Sequence, residues 1–141
     1  MSADTDTGSN GNSLYSAISN TTVRLLREYT GRGPTKARTT IRDNVVLVML
    51  EQTLTKGEQV LVNKGRTDNV LALRREWQEA MRDEISHDVA KFTGRTVLAM
   101  MSANHINPDL AAEIFVLDGP PNHKLDSAGP AANSQPPTER D

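Results

Sequence analysis

The sequence predicts an α+β fold of two layers, a four-stranded, mainly antiparallel sheet with helices packed on one face, in the order α-β-β-α-α-β-β. Three observations carry this reading. Apolar residues recur every three or four positions in two long segments, residues 13–30 and 67–93. Elsewhere they alternate at period two or run unbroken in segments too short for helices. Turn-forming residues separate these segments: Gly31, Asp43-Asn44, Gly65, Gly94 and Asn107-Pro108. A chain of 141 residues has room for one domain of ordinary size.

The first helix is expected from about Ser13 to Thr30, with Leu14, Ile18, Thr22, Leu25 and Tyr29 along one stripe and Val23 and Leu26 widening it. Asn12 or Ser13 is placed to cap its start and Gly31 to end it in a left-handed conformation. From Pro34, the residues Thr35, Ala37, Thr39 and Ile41 fall on one strand face, and Lys36, Arg38, Thr40 and Arg42 on the other. Asp43-Asn44 turns the chain into Val45–Leu50, apolar on both faces and therefore expected to be central and covered. Thr55-Lys56-Gly57-Glu58 has the capping-box pattern and opens a short helix that stops at Gly65. The strongest periodic signal follows, a long helix from Thr67 or Asp68 through Val70, Leu73, Trp77, Met81, Ile85, Val89 and Phe92 to Gly94. A second hairpin closes the domain, with strands Arg95–Ser102 and Ala111–Asp118 joined by a long polar connection, residues 103–109.

Composition narrows the function classes. Aromatics are 4% of the chain, so the core is expected to be aliphatic. There is no cysteine, which removes disulfides, thiolate metal sites and cysteine nucleophiles. A net charge of −2 argues against a general nucleic-acid binder. The longest apolar run, Val45–Leu50, is far short of the ~20 residues of a membrane-spanning helix. Residues 1–11 are polar and Ser/Asn/Gly-rich without the apolar stretch of a signal peptide, and residues 119–141 are rich in Pro, Ala and Ser. Both read as disordered tails around a domain at 12–118.

Charge is concentrated in one place. Between Arg24 and Arg42 stand Arg24, Arg27, Arg32, Lys36, Arg38 and Arg42 against the single acid Glu28. Gly31 and Gly33 allow close backbone approach, and Pro34 stiffens the entry to the strand. Arg32, Gly33, Lys36, Arg38 and Arg42 are therefore the candidate surface for an anion or an acidic partner. The alternative reading is a helix-to-strand corner with solvated charges. The segment lacks the Lys-Ser/Thr element of a phosphate-binding P-loop. A second candidate is the polar connection with Asn104, His105 and Asp109, against a plain role in turn capping. No second histidine lies at ligand spacing, so neither a metal nor a cofactor is expected. No nucleophile has an identifiable base, and no catalytic residue is assigned. On the long helix, Arg74, Arg75, Glu76, Glu79, Arg82, Asp83 and Glu84 read as a solvated face.

A run of segments carries a family resemblance. Gly31-Arg32-Gly33-Pro34-Thr35-Lys36-Ala37-Arg38 is followed by Ile41-Arg42-Asp43-Asn44, Leu47-Val48-Met49-Leu50-Glu51 and Leu54-Thr55-Lys56-Gly57-Glu58. Then come Arg74-Arg75-Glu76-Trp77-Gln78-Glu79-Ala80-Met81-Arg82, Thr93-Gly94-Arg95, Ser102-Ala103-Asn104-His105 and Glu113-Ile114-Phe115-Val116-Leu117. In this order and spacing they resemble the MpsC-type family, over the core and neither tail. The resemblance implies a small bacterial soluble protein without an agreed catalytic activity. It implies association with a sodium-translocating, membrane-potential-generating system, whose membrane partners have been linked to inorganic-carbon (bicarbonate) uptake.

Together these features predict a non-enzymatic accessory or regulatory protein. It is expected in the cytoplasm or at the inner face of the membrane, docked on a membrane transport subunit through its basic surface. The second face of the sheet needs either solvent or cover, and a homodimer is one way to supply it. Two other readings stay open: a nucleic-acid-binding module, and a small-ligand sensor or enzyme whose pocket combines the basic corner with His105.

Overall fold

A computed structural model describes residues 10–122. Its elements are α1 (Asn10–Thr30), β1 (Lys36–Arg42), β2 (Val45–Glu51), α2 (Lys56–Asn63), α3 (Thr67–Thr93), β3 (Val97–His105) and β4 (Leu110–Leu117). The predicted order holds. The strands form one sheet, β1-β2-β4-β3, and every neighbouring pair is antiparallel. Most of the two expected tails, residues 1–9 and 123–141, lies outside the described residues.

Helix α1 begins at Asn10, so Asn12 and Ser13 lie within it rather than at its cap. It ends where expected. Gly31 adopts φ +81°, and its N–H closes the last turn on the Arg27 carbonyl at 2.9 Å. Strand β1 alternates as predicted, with Ala37 buried and Lys36, Arg38, Thr40 and Arg42 exposed. Asp43, at φ +53°, makes the turn into β2. Strand β2 is central, but the described residues cover it on one side only. Val46, Val48 and Leu50 are fully buried, whereas Val45, Leu47 and Met49 point to the other face. An apolar run on both faces thus signals position in the sheet, and here not two-sided cover.

The capping box of α2 is formed. The Glu58 N–H donates to Thr55 Oγ1 at 3.1 Å, and the Thr55 N–H donates to Glu58 Oε1 at 2.8 Å. Helix α3 ends at Gly94, at φ +69°. Its buried stripe is Val70, Arg74, Gln78, Met81, Ile85, Val89 and Thr93. This is rotated from the expected one: Leu73 is exposed, and Trp77 and Phe92 are half-buried. Strand β3 runs on to His105, so the connection to β4 shrinks to residues 106–109. Asn104 and His105 therefore belong to the strand and not to a loop.

The core lies between the sheet and the pair α1/α3. Leu14, Ile18, Leu25 and Leu26 of α1 and Met81, Ile85 and Val89 of α3 meet Val46, Val48, Leu50, Phe115 and Leu117 of the sheet. Helix α1 lies over β1 and β2, and α3 over β3. Aliphatic burial of this kind contributes ~25 cal/mol per Å² removed from water, which is ample for a single two-layer domain.

One charged group sits inside this frame. Arg74 was expected in the solvated face of α3, yet its side chain is 1% exposed. Its Nη1 donates to Glu58 Oε1 at 3.0 Å, its Nη2 to Thr53 Oγ1 at 2.6 Å and its Nε to Asn104 Oδ1 at 2.8 Å. The guanidinium also stands 4.9 Å from the centre of the Trp77 ring. Glu58 is itself buried. Removing the cation would leave that carboxylate without its counter-charge, at a cost of ~3–5 kcal/mol. Urea denaturation of Arg74→Met near neutral pH should show a loss of that size, whereas Arg75→Met, at an exposed position one residue on, should change stability by less than ~0.5 kcal/mol.

Candidate functional site

Strand alternation sorts the sheet into two unlike faces. On the face turned away from the helices, Arg42, Val45, Val116 and Ala99 form one cross-strand row. Thr40, Leu47, Ile114 and Met101 form the next, then Arg38, Met49, Ala112 and Ala103, then Lys36, Glu51, Leu110 and His105. The middle of this face is apolar, and Val45 and Met101 are among its exposed large side chains, at 37% and 49%. Leu98, at the irregularity where β3 shifts register, is 64% exposed. Along the β1 edge stand Lys36, Arg38 and Arg42. Glu51 is their only acidic companion in these rows, and it lies 3.8 Å from Arg38. An exposed pair of this kind is worth little, so the edge remains strongly positive.

The rest of the predicted basic segment is used differently. Arg24 pairs with Glu28 and Asp88 on the helix side of the molecule. Arg32 donates from Nε to the Gln52 carbonyl at 3.2 Å. Gly33 lies under the Arg27 guanidinium, where a Cβ would come within 2.8 Å of Nη2. The N–H groups of Gly31, Arg32 and Thr35 all have partners within the chain. The corner formed by Gly31–Pro34 is thus a packed turn, and the displayed cations are those of β1.

The second candidate set, Asn104, His105 and Asp109, does not converge on one point. The Asn104 amide forms a reciprocal pair with Gln78 and also accepts from Arg74. The Asp109 carboxylate accepts from the backbone N–H groups of Thr53 and Leu54, at 3.1 and 3.0 Å. His105 Nδ1 is 2.8 Å from the Pro108 carbonyl, and its ring is on the open sheet face. His105 and Lys36 share a row but stand on opposite edge strands, three strand spacings or ~14 Å apart. The sheet therefore does not bring His105 to the basic edge.

The covered face holds a feature of another kind. Between α3 and β3 opens a cleft of about 200 Å³, lined by Arg75, Gln78, Glu79, Arg82, Met100 and Ser102. Behind it lies Glu113 of β4, fully buried, with Oε1 hydrogen-bonded to the Ser102 hydroxyl and Oε2 without a partner. Burial pushes the Glu113 carboxyl up to about 7, against the opposing pull of Ser102, Arg74 and Arg82.

The family described as Na+-translocating membrane potential-generating system (MpsC) matches residues 10–119. The chain belongs to the MpsC family. No curated protein and no solved structure matches it. The match spans the whole described domain apart from its last three residues, so open face, buried network and cleft all fall within the MpsC region. No helix among the described residues is long and apolar enough to cross a membrane. The family description thus makes this MpsC chain a component of a membrane system, without a spanning helix in the part described.

Two features of this MpsC domain escaped the sequence reading for the same reason: residue type outweighed position. Arg74 lies four residues after Val70 and seven before Met81, squarely in the apolar stripe. Glu113 alternates with Ala111, Phe115 and Leu117 on the inward face of β4. Spacing gives both a core position, and residue type argues against it.

Glu113 has a measurable consequence. Its folded value, about 7, is above the unfolded value of ~4.3, so the folded state holds the proton more tightly. Between these values unfolding releases a proton, and the contribution of Glu113 to stability falls as pH rises, reaching its full penalty above about 7. Glu113→Gln keeps the neutral shape without the ionisation. In urea titrations at pH 4.5 and 8, its stability relative to wild type should improve by ~3 kcal/mol from the lower to the higher pH.

Proposed function

We propose that this chain is a non-enzymatic accessory or regulatory component of the sodium-translocating, membrane potential-generating system, working at the cytoplasmic face of the membrane. It docks on a partner subunit through the open face of its sheet. The observation that carries this reading is the composition of that face. An apolar centre of Leu47, Met49, Ile114 and Met101 adjoins the cationic edge Lys36, Arg38 and Arg42, with no helix over it among the described residues. The partner surface that fits is apolar in the middle and acidic at one side.

A second copy of the chain is the competing occupant, favoured by the apolar centre. Charge weighs against it, because Glu51 is the only acid in the four rows and a self-pairing would leave two cations of each copy unmatched. A nucleic acid fits less well. All five Phe, Tyr and Trp residues, Tyr15, Tyr29, Trp77, Phe92 and Phe115, lie on helices or on the covered side of the sheet, so the four rows of the open face offer a base one ring alone, the His105 imidazole, at the edge opposite the cations.

The reading is tested by co-purification with the membrane subunits of the same system, using the wild-type chain, Arg38→Glu/Arg42→Glu and Met101→Asp. Both variants lie on exposed positions and should fold normally, and both should lose the partner by at least tenfold in affinity. Undiminished recovery with either variant would refute docking through this face. Light scattering of the isolated chain should give a monomer of 15.4 kDa. A stable dimer abolished by Met101→Asp would assign the face to a second copy instead.

A further inference from the structure

The cleft between α3 and β3 is a second surface with its own chemistry, on the opposite side of the sheet from the docking face. Four of its residues, Arg75, Gln78, Glu79 and Arg82, project from one side of α3 at spacings of three, four and seven. Arg75 makes no hydrogen bond or ion pair among the described residues. Arg82 is held in place by a bond from Nη2 to the Met100 carbonyl at 3.1 Å and a contact of 3.5 Å from Nε to Glu79. Its Nη1 makes no hydrogen bond among the described residues. Glu79 is the one acid at the mouth, and its side chain is 74% exposed. Two guanidiniums, one carboxylate, one amide, one hydroxyl and the Met100 side chain thus face a space sized for a small molecule and well below a nucleotide site.

The hydroxyl makes the site unusual. Ser102 lies between the cleft and the Glu113 carboxyl. When Glu113 is ionised, Ser102 must donate its only proton inward to Oε1, and its Oγ offers the cleft nothing but lone pairs. When Glu113 is protonated, the carboxyl can donate to Ser102 Oγ, and the Ser102 proton is free to point outward. The protonated state therefore presents a donor to the cleft beside Arg82, and the ionised state an acceptor and a second negative charge. The unpartnered Oε2 agrees with this: a carboxyl closed off from water with only one bond made is poised to carry the proton.

We propose that the α3–β3 cleft binds a small carboxylate anion, held by Arg75 and Arg82 and by the Ser102 hydroxyl, in the state in which Glu113 carries a proton. Where Glu113 is ionised in the free protein, one anion and one proton enter together and the site gains no net charge; where it is already protonated, the anion enters alone. Guanidinium and carboxylate match as planar, two-point partners. The other charges that reach Glu113 are Arg74 and Arg82 of α3, and Ser102 of β3 is its direct hydrogen-bond partner. Glu113 is thus the titrating group of the site. The inference does not depend on the docking face.

The test is a titration of the intact chain with sodium acetate at constant ionic strength, near pH 6 and near pH 8, followed by amide and arginine Nε–H shifts in NMR. Acetate stays ionised at both values, so its own charge does not change. Wild type should bind about tenfold more weakly at the higher pH, as Glu113 loses its proton around 7. Glu113→Gln, whose amide can donate permanently to Ser102 Oγ, should bind with less than about a twofold difference between the two pH values. Arg82→Gln and Ser102→Ala should each weaken binding by about tenfold or more near pH 6, with native-like spectra as the control for folding. No shift at the cleft in wild type would overturn the proposal. Binding that is independent of pH in wild type, or that survives Ser102→Ala, would overturn the proton coupling. Sulfate competing as well as acetate would show a general anion site and refute carboxylate selectivity.

Discussion

The buried Arg74 guanidinium is the constraint on which this arrangement depends. It reaches α2 through Glu58, the β2–α2 connection through Thr53, and β3 through Asn104. These are segments far apart in sequence. A buried charge is tolerable only when its hydrogen bonds are satisfied and its counter-charge is close, and both conditions hold here. Its pKa is nevertheless lowered by burial, against the opposing pull of Glu58, then Asp109 and Glu113. Asp109 extends the same system by holding the backbone N–H groups of Thr53 and Leu54. The β3–β4 connection, the short helix and the long helix are thereby fixed to one another.

Fixing β3 against α3 has a second effect. The Asn104 pair with Gln78 and the Arg82 bond to the Met100 carbonyl hold the strand beside the helix at two points, and Ser102 lies between them. Large apolar side chains do not fill that interval. Polar side chains and Met100 line it, and the cleft is the space they leave. Strand β3 consequently serves both surfaces: Met101 and Ala103 belong to the open face, while Met100, Ser102 and Asn104 face the helices. Neighbouring residues on one strand thus separate a surface suited to a macromolecule from a recess suited to a small anion.

The order of elements could be read from periodicity and turn chemistry because those signals are local. Thr55 and Glu58 announce the start of α2, Gly31 and Gly94 the ends of α1 and α3, and Asp43-Asn44 the first hairpin. The basic edge was legible too, since alternation in β1 needs no tertiary information. What could not be read was where polarity goes inward. Arg74, Gln78 and Glu113 occupy core positions by spacing, but a single-residue transfer argument sends each of them to the surface. Their burial depends on partners 11 to 30 residues away, which only the fold brings together. The β3 boundary was missed for a related reason. Asn104 looks like a turn residue, and it is a strand residue because Gln78 and Arg74 satisfy its amide.

Glu113 differs from Arg74 in one respect that bears on function. Arg74 has a full set of partners and a matched counter-charge, so its burial can be explained by architecture alone. Glu113 has a single hydrogen-bond partner and leaves one oxygen unsatisfied in a layer otherwise built from Ala111, Phe115 and Leu117. A glutamine, or a methionine of similar volume, would fill the same space without the ionisation penalty. Architecture therefore explains the space and not the acid. What a carboxyl adds there is a proton that can be held or released around neutrality, and with it a change in what Ser102 offers the cleft. In a protein assigned to a membrane potential-generating system, that makes the covered face of the sheet as informative as the exposed one.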